Sequence, residues 1–554
     1  MPAFCNALRR APLKTTLLSS LLAFGVLSLP AAAVDASAAQ TMTAKAKSVV
    51  LPKGDHTAGR VLAPRPMGAR RIPIGFAALK ALKAARPPAE DSAVAPSGLR
   101  SPGGRGISAN CNTNVATGFA PSDIHGAAGH SRIAVVTNVD IGIYSYACAI
   151  QSRVPLKTFF GAFAPPAAET MFDPRVIYDR KIARFFVTVE SRNSGNNDQF
   201  QYIAISKDST GASWWLYRFA LTSGASVFCK SAATSFWDYP NAGYSPNRWY
   251  ITANDFPAAG GSSGAILSID KVPSLSGGNV IAKCFNGLAF NLAPPIVLDQ
   301  TTASTSAVIL SPGSGSGSAI TRRDVIANGS VSGSASGDSL AVRPNYTIAA
   351  WTAAPDAPQP NGQRLDTIDG RFQSNSVQSR GQIWNVHAVN SGGRGAARWY
   401  RLGFTTTTST VLQNTTFVSD VATGHYFNPS IGTGSGVGGS PAFINVSRTT
   451  ATAGSGNAAQ IMLYGPNNSA ADWVYNVVAT SASMFSTLDG TNSCNSSSRG
   501  ACRWGDYSSV SIDPNYYNIA WGFNQLINGT QQFNWFTRGA RVWMNLLQAP
   551  VASN

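Results

Sequence analysis

Short apolar runs separated by turn-rich polar stretches cover most of the chain. Runs such as "RFFVTVE", "QYIAIS", "RWYITAND" and "AFINVS" are five to eight residues long and are bounded by Gly, Ser, Asn and Pro. That pattern belongs to β-strands. From about residue 108 onward no long stretch shows a 3.6-residue apolar period, so an all-β domain is predicted over 108–554.

The runs come in pairs: "RIAVVTNV" with "IGIYSY", "RFFVTVE" with "QYIAIS", "RWYITAND" with "AILSID", "SAVIL" with "YTIAAW", "IWNVHAVN" with "RWYRLG", "AFINVS" with "QIMLYG", and "YNIAWGF" with "FNWFTR". These seven units begin near 132, 184, 248, 306, 383, 442 and 517, a spacing of about 64 residues, against about 40–50 for common propeller repeats. Five units are preceded by an aromatic or Ile, a small or acidic residue, and Pro: Phe119-Ala120-Pro121, Phe172-Asp173-Pro174, Tyr244-Ser245-Pro246, Phe427-Asn428-Pro429 and Ile512-Asp513-Pro514. Proline is tolerated at a strand entry because its missing N–H lies outside the ladder. A sandwich module would need about 100 residues per unit. The repeat therefore predicts a seven-bladed β-propeller, with the marker near the start of each innermost strand.

The N-terminal region reads differently. Arg9, Arg10 and Lys14 precede the apolar stretch "TTLLSSLLAFGVLSLP" and the small residues "AAAVDASAA", the layout of a signal peptide over 1–33. Residues 34–107 are rich in Ala, Pro and Arg and read as a disordered basic leader or pro-segment. Residues 1–105 hold 15 Lys/Arg against 4 Asp/Glu, and the rest hold 28 against 22. The basic excess thus sits mainly outside the predicted propeller, which argues against a nucleic-acid partner. No later run reaches 18 apolar residues, so no membrane span is expected. The expectation is an exported monomer, extracellular or periplasmic.

Six cysteines follow the signal: Cys111, Cys148, Cys229, Cys284, Cys494 and Cys502. An even set in an exported chain predicts disulfides, with 15 possible connectivities. Nearness in sequence favours 111–148, 229–284 and 494–502. The spacings are not those of a zinc site, and neither a metal nor a cofactor is expected.

"FDPRVIYDRKIARFFVTVES", "SKDSTGASWWLYRF", "DYPNAGYSPNRWYITANDF" and "RWGDYSSVSIDP" resemble a group of exported bacterial propeller proteins of sialidase-like appearance, most of them without assigned activity. The RWGDYS-type stretch is the most specific part of the likeness. One sialidase-like device, the Asp-box S-x-D-x-G-x-x-W, is approximated by Ser206, Asp208, Gly211 and Trp214 with one extra residue before the glycine. The resemblance implies that this box is a structural turn.

Propeller ligands gather at one mouth of the central channel. Side chains near the markers are therefore the candidates for chemistry: Asp173, Asp238, Tyr239, His387, Asp506 and Tyr507 for catalysis, and Arg175, Arg371, Arg503 and Trp504 for ligand contact. Asp369 accompanies Arg371. Two carboxyl groups about 5–9.5 Å apart would serve glycoside hydrolysis, and arginines would hold a sugar carboxylate through paired N–H groups. His387 with Arg371 and Tyr239 would suit a lyase. His387 is the histidine placed inside a predicted inner strand, while His125, His130 and His425 are placed in loops. Asp before Pro is equally a turn-former, and "WGD" equally a packing device. The reading favoured by the sequence is a propeller that binds extracellular glycan or another surface ligand at the channel mouth. The alternative is a glycoside hydrolase or polysaccharide lyase acting on an acidic polysaccharide.

Overall fold

The computed structural model describes residues 39–57, 65–66, 93–94, 105–115 and 119–544, except 196, 259, 300–305, 330–332, 455 and 498–499. The signal-peptide reading lies outside the described residues. These form an all-β propeller arrangement: antiparallel sheets follow one another along the chain, with their first strands side by side around an axis.

One sheet runs from His125–Ala128 through Arg132–Val136 and Asp140–Ser145 to Ile150–Pro155. The next runs from Glu169–Asp179 through Arg184–Asn193 and Gln199–Ser206 to Ser213–Ser223. Later sheets begin at His425–Thr433 and Ser509–Ile512. The largest has 11 strands. In it the strands of 236–288 and of 376–417 are joined through Pro295–Val297, which pairs in parallel with Tyr244 on one side and with Ser376–Gln378 on the other. Strands Ser306–Ser311, Ser316–Ile326 and Ser339–Thr352 make a three-stranded sheet. Counted as hydrogen-bonded sheets of four or more strands, the described residues give five blades, which corrects the expected seven. Parallel pairing across a short axial strand fuses what the sequence separates into units, and the fourth unit stays at three strands.

A second correction concerns which strands are innermost. "RIAVVTNV" and the other leading runs except "SAVIL" occupy the second strand of their units, while "SAVIL" opens its three-stranded sheet. The strands on the axis precede them and are less apolar: "HGAA", "ETMFDPRVIYD", "FWDYPNAGY", "SVQS", "HYFNPSIGT" and "SVSI". They are packed on several sides and so show no in–out alternation. The marker divides accordingly. Asp173-Pro174 and Asn428-Pro429 sit inside axial strands at bulges, with Asp173 at φ 50° and Asn428 at φ 55°. Tyr239-Pro240 is a third such bulge, with Tyr239 at φ 64°. Ser245-Pro246 and Asp513-Pro514 instead follow their axial strands. A bulge bends its strand and re-aims side chains, here at one end of the axis.

The core lies between neighbouring sheets. Phe186 stacks on Trp249 at 4.8 Å between the second sheet and the next, and Trp399 meets Trp473 at 5.4 Å further round. Such aromatic pairs add to the hydrophobic stabilisation of a face-to-face sheet interface. Arg105–Val115 supplies the outer strand beside Trp535–Met544, so the N-terminal part of the domain completes its last sheet.

Residues 39–57, which the sequence places in a disordered leader, are ordered. Gln40–Ala44 pairs with Val280–Leu288, Lys47–Val50 with Ser213–Ser223, and Gly54–Asp55 with Ile150–Pro155. The segment needs no core of its own, because open sheet edges offer it backbone partners. Ala93–Val94 and Arg65–Pro66 also pair, with Thr416–Phe417 and Phe119–Ala120. The three disulfides join the expected sequence neighbours, Cys111–Cys148, Cys229–Cys284 and Cys494–Cys502.

Candidate functional site at the propeller axis

The bulged axial strands bring most of the expected residues to one end of the axis. Asp173 and Asp238 leave neighbouring bulges, and Glu190 reaches them from the second strand of its sheet. One carboxylate oxygen from each lies within 4.8 Å of the others. All three residues are buried, at 0%, 3% and 1% exposure for Asp173, Asp238 and Glu190. Three carboxylate oxygens this close form a set that could hold a hard cation. The sequence reading expected no metal, and it did not place Glu190 at the site.

Beside this group lies a cation–aromatic layer. Arg175 donates from Nε to the Pro240 carbonyl at 2.8 Å and from Nη1 to the Gln373 carbonyl at 2.9 Å. Its guanidinium carbon lies 3.2 Å from the centroid of the Tyr507 ring and 5.5 Å from that of Tyr239. Arg371 covers Tyr239 at 4.1 Å and grips Asp369 through two bonds of 2.7 Å. Burial alone would raise the Asp369 carboxyl, but the Arg371 guanidinium, with Ser314, holds it below its ordinary value. Both tyrosine hydroxyls donate to carbonyls, Tyr239 to Asp506 and Tyr507 to Pro174, each at 2.9 Å.

Polar side chains tie this layer together around the axis. Gln373 Nε2 donates to Asn428 Oδ1 and to the Asp506 carbonyl. The Asp506 N–H donates to Asp123, and Asn138 bridges Asp123 and the Asp173 N–H. Arg503 pairs with Asp506 at 2.6 Å. Gln373, Asn138 and Asp123 were missed by sequence reasoning. The signal that could have found the layer is the repeated Asx- or Tyr-Pro step at the bulges.

Two expected residues are placed elsewhere. His387 lies in Gln382–Ser391, the second strand of its unit rather than the axial one. Its Nδ1 meets the Gly370 carbonyl at 2.6 Å and its Nε2 the Tyr400 hydroxyl at 2.9 Å. Burial pulls its pKa down to about 3. It is a buried core histidine with both ring nitrogens bonded, packed on Gly370 and Phe372, which flank Arg371. Trp504 is buried against Phe427 and Phe485, with its indole N–H on Ser447 Oγ, so it packs rather than presenting a face. His125, read as a loop residue, opens an axial strand; burial and the Arg175 guanidinium keep it well below the ordinary histidine pKa. His425 likewise opens a strand.

Along the axis from this layer runs a channel of about 580 Å³, open solvent included. His125, Val176 and Asn375 line it near the layer; Tyr178, Arg180, Leu298, Thr433 and Ile512 line it further along the axial strands. Arg180 donates to the Gly434 carbonyl and lies over Tyr517 at 4.4 Å.

The Asp-box stretch is a turn, as the resemblance implied. Asp208 accepts from the Thr210 N–H and hydroxyl, Ser206 donates to the Asp208 carbonyl, and Trp214 donates to the Gly211 carbonyl.

No protein-family model matches this chain, and no curated protein matches it. Among solved structures it is similar to a mutant of Trypanosoma rangeli sialidase displaying trans-sialidase activity, at 10% identity and TM-score 0.31, covering 73% of this chain and 57% of that one. It is similar also to a subtype N10 neuraminidase-like protein of A/little yellow-shouldered bat/Guatemala/060/2010, at 10% identity and TM-score 0.33, covering 64% and 99%. A third is the exo-β-1,3-galactanase 1,3Gal43A from Clostridium thermocellum, at 10% identity and TM-score 0.28, covering 63% and 82%. The chain spans little more than half the length of the trypanosomal sialidase.

Proposed function

We propose that this protein is an exported, non-catalytic glycan-binding propeller that holds a sugar at the end of the axial channel lined by Tyr178, Arg180, Tyr244 and Thr433. One observation carries the reading. At the opposite end Arg175, Arg371, Tyr239 and Tyr507 are buried and already bonded to carbonyls or to Asp369, and Asp173, Glu190 and Asp238 are buried beside them, whereas the channel offers space beside aromatic rings, hydroxyls and a half-buried arginine. Tyrosine rings suit the apolar faces of a sugar, and an arginine suits its carboxylate.

The close approach of Asp173, Glu190 and Asp238 favours the second reading, a glycoside hydrolase or lyase acting on an acidic polysaccharide. A nucleophile or base must reach its substrate. These carboxyls are covered, and the hydroxyls of Tyr239 and Tyr507 already donate to carbonyls.

The test is calorimetric titration of the purified protein with short acidic oligosaccharides, together with an assay for new reducing ends. Binding without turnover, weakened several-fold in Arg180→Ala, is expected. Turnover that is lost in Asp238→Asn would overturn the binding reading in favour of the enzyme.

A further inference from the structure

A second surface lies on the outer edge of the sheet that begins at Glu169. Its last strand, Ser213–Ser223, is not the edge: Lys47–Val50 from the N-terminal segment pairs beyond it, with Lys47 opposite Leu216 and Ser48 opposite Trp215. Residues opposite one another share a face, and so do residues two apart. Lys47 and Arg218 therefore emerge on the same face, and both stand over Phe163, at 5.0 and 5.3 Å from its centroid. Arg218 continues to Phe200 at 4.7 Å. On the other face, Lys207 lies 3.7 Å from the centroid of Trp215. Lys47 is exposed, and Arg218, Lys207, Phe163, Phe200 and Trp215 are half-buried.

The charges here are not neutralised locally. Among the described residues, Lys47, Arg218 and Lys207 have no carboxylate within ion-pair distance. Glu169 is the acid behind the row, but it is buried and accepts the Tyr202 hydroxyl. Asp208, next to Lys207, is turned onto Thr210. Aromatic rings hold long cationic side chains in place, so less freedom is lost when an anion binds.

We infer that this edge docks a linear acidic polysaccharide, with Lys47, Arg218 and Lys207 on its carboxylates or sulfates. The surface is distinct from the channel, and it is complete only when the N-terminal segment is paired to the sheet. A nucleic acid fits less well. Single strands need open aromatic faces to stack on, and here cations cover the rings.

The test is affinity electrophoresis of the full chain through gels containing polygalacturonate, dextran sulfate or neutral dextran, with an oligothymidylate shift as a fourth arm. Retardation by one or both acidic polymers is expected, weakening as salt rises, with none by dextran. Lys47→Ala/Arg218→Ala should weaken the interaction at least tenfold. Lys47→Ala/Lys207→Ala, which leaves the half-buried arginine in place, should weaken it several-fold and guards against a folding defect in the first pair. Arg180→Ala should leave it unchanged, which separates this surface from the channel reading. No retardation by either acidic polymer, equal retardation by dextran, wild-type affinity in both double variants, or tighter binding of the oligothymidylate would each overturn the inference.

Discussion

Arg175→Met asks whether the axial layer is a structural closure. The wild-type side chain makes two charge-assisted bonds to carbonyls, at 2.8 and 2.9 Å, and lies on Tyr507 at 3.2 Å. Hydrogen bonds to a charged group contribute about 1.5–3 kcal/mol each, and a desolvated cation–aromatic contact about 2 kcal/mol. Relief of the desolvation cost of a buried guanidinium offsets part of that sum. Leaving the Pro240 and Gln373 carbonyls unsatisfied costs about 1–3 kcal/mol each, so a net loss of about 2–4 kcal/mol is expected. Methionine keeps much of the volume, so the cavity contribution is small. Arg175→Lys retains the charge but cannot reach both carbonyls with a planar fork, and about half the loss is expected. Urea unfolding followed by far-ultraviolet circular dichroism would report the difference as a lower midpoint at unchanged slope. A loss below about 1 kcal/mol for Arg175→Met would refute the reasoning, since the Pro240 and Gln373 carbonyls would then not depend on the arginine.

Three further outcomes follow from the same geometry. The folded pKa values of His387 and His425 are pulled down to about 3 and about 4 by burial, from an ordinary value of 6.5. The unfolded chain therefore binds more protons below pH 6.5, and stability must fall as pH drops from there towards 4; melting temperatures across that window check this, and His425→Gln should flatten the slope. Chain-entropy arguments give the Cys229–Cys284 loop, 55 residues apart, about 4 kcal/mol and the Cys494–Cys502 loop, 8 apart, about 2.5 kcal/mol; paired Cys→Ala variants compared in urea should show that order. Deleting residues 1–57 should speed amide exchange in Val280–Leu288, Ser213–Ser223 and Ile150–Pro155, the strands whose edges it uncovers, and exchange unchanged there would mean that the pairing contributes nothing.

Much of this protein is legible in its sequence because much of it is local. Alternating runs and turn residues specify the all-β class, and the doubled runs specify repeating antiparallel sheets, since strand period and turn chemistry act over a few residues. The cysteine pairing was legible because the partners are near in sequence: Cys494–Cys502 closes one loop, and Cys111–Cys148 and Cys229–Cys284 each tie a strand to a loop beside a neighbouring sheet. The axial strands were not. "HGAA" and "SVQS" carry little apolar signal, because their environment is set by neighbours distant in the chain. The blade count failed at Pro295–Val297, whose parallel pairing with two distant strands has no local mark. His387 shows the limit for chemistry. Its predicted place in an inner strand suited a base, but the Gly370 carbonyl and Tyr400 hydroxyl that satisfy it are brought to it by the fold. Residues 39–57 show the converse, since a segment too polar to build a core is ordered by edges that other strands leave open. Local chemistry along the chain sets where strands and turns form. The tertiary structure decided which strands meet at the axis and which charges are buried there, because both depend on non-local packing and desolvation rather than on any stretch of chain.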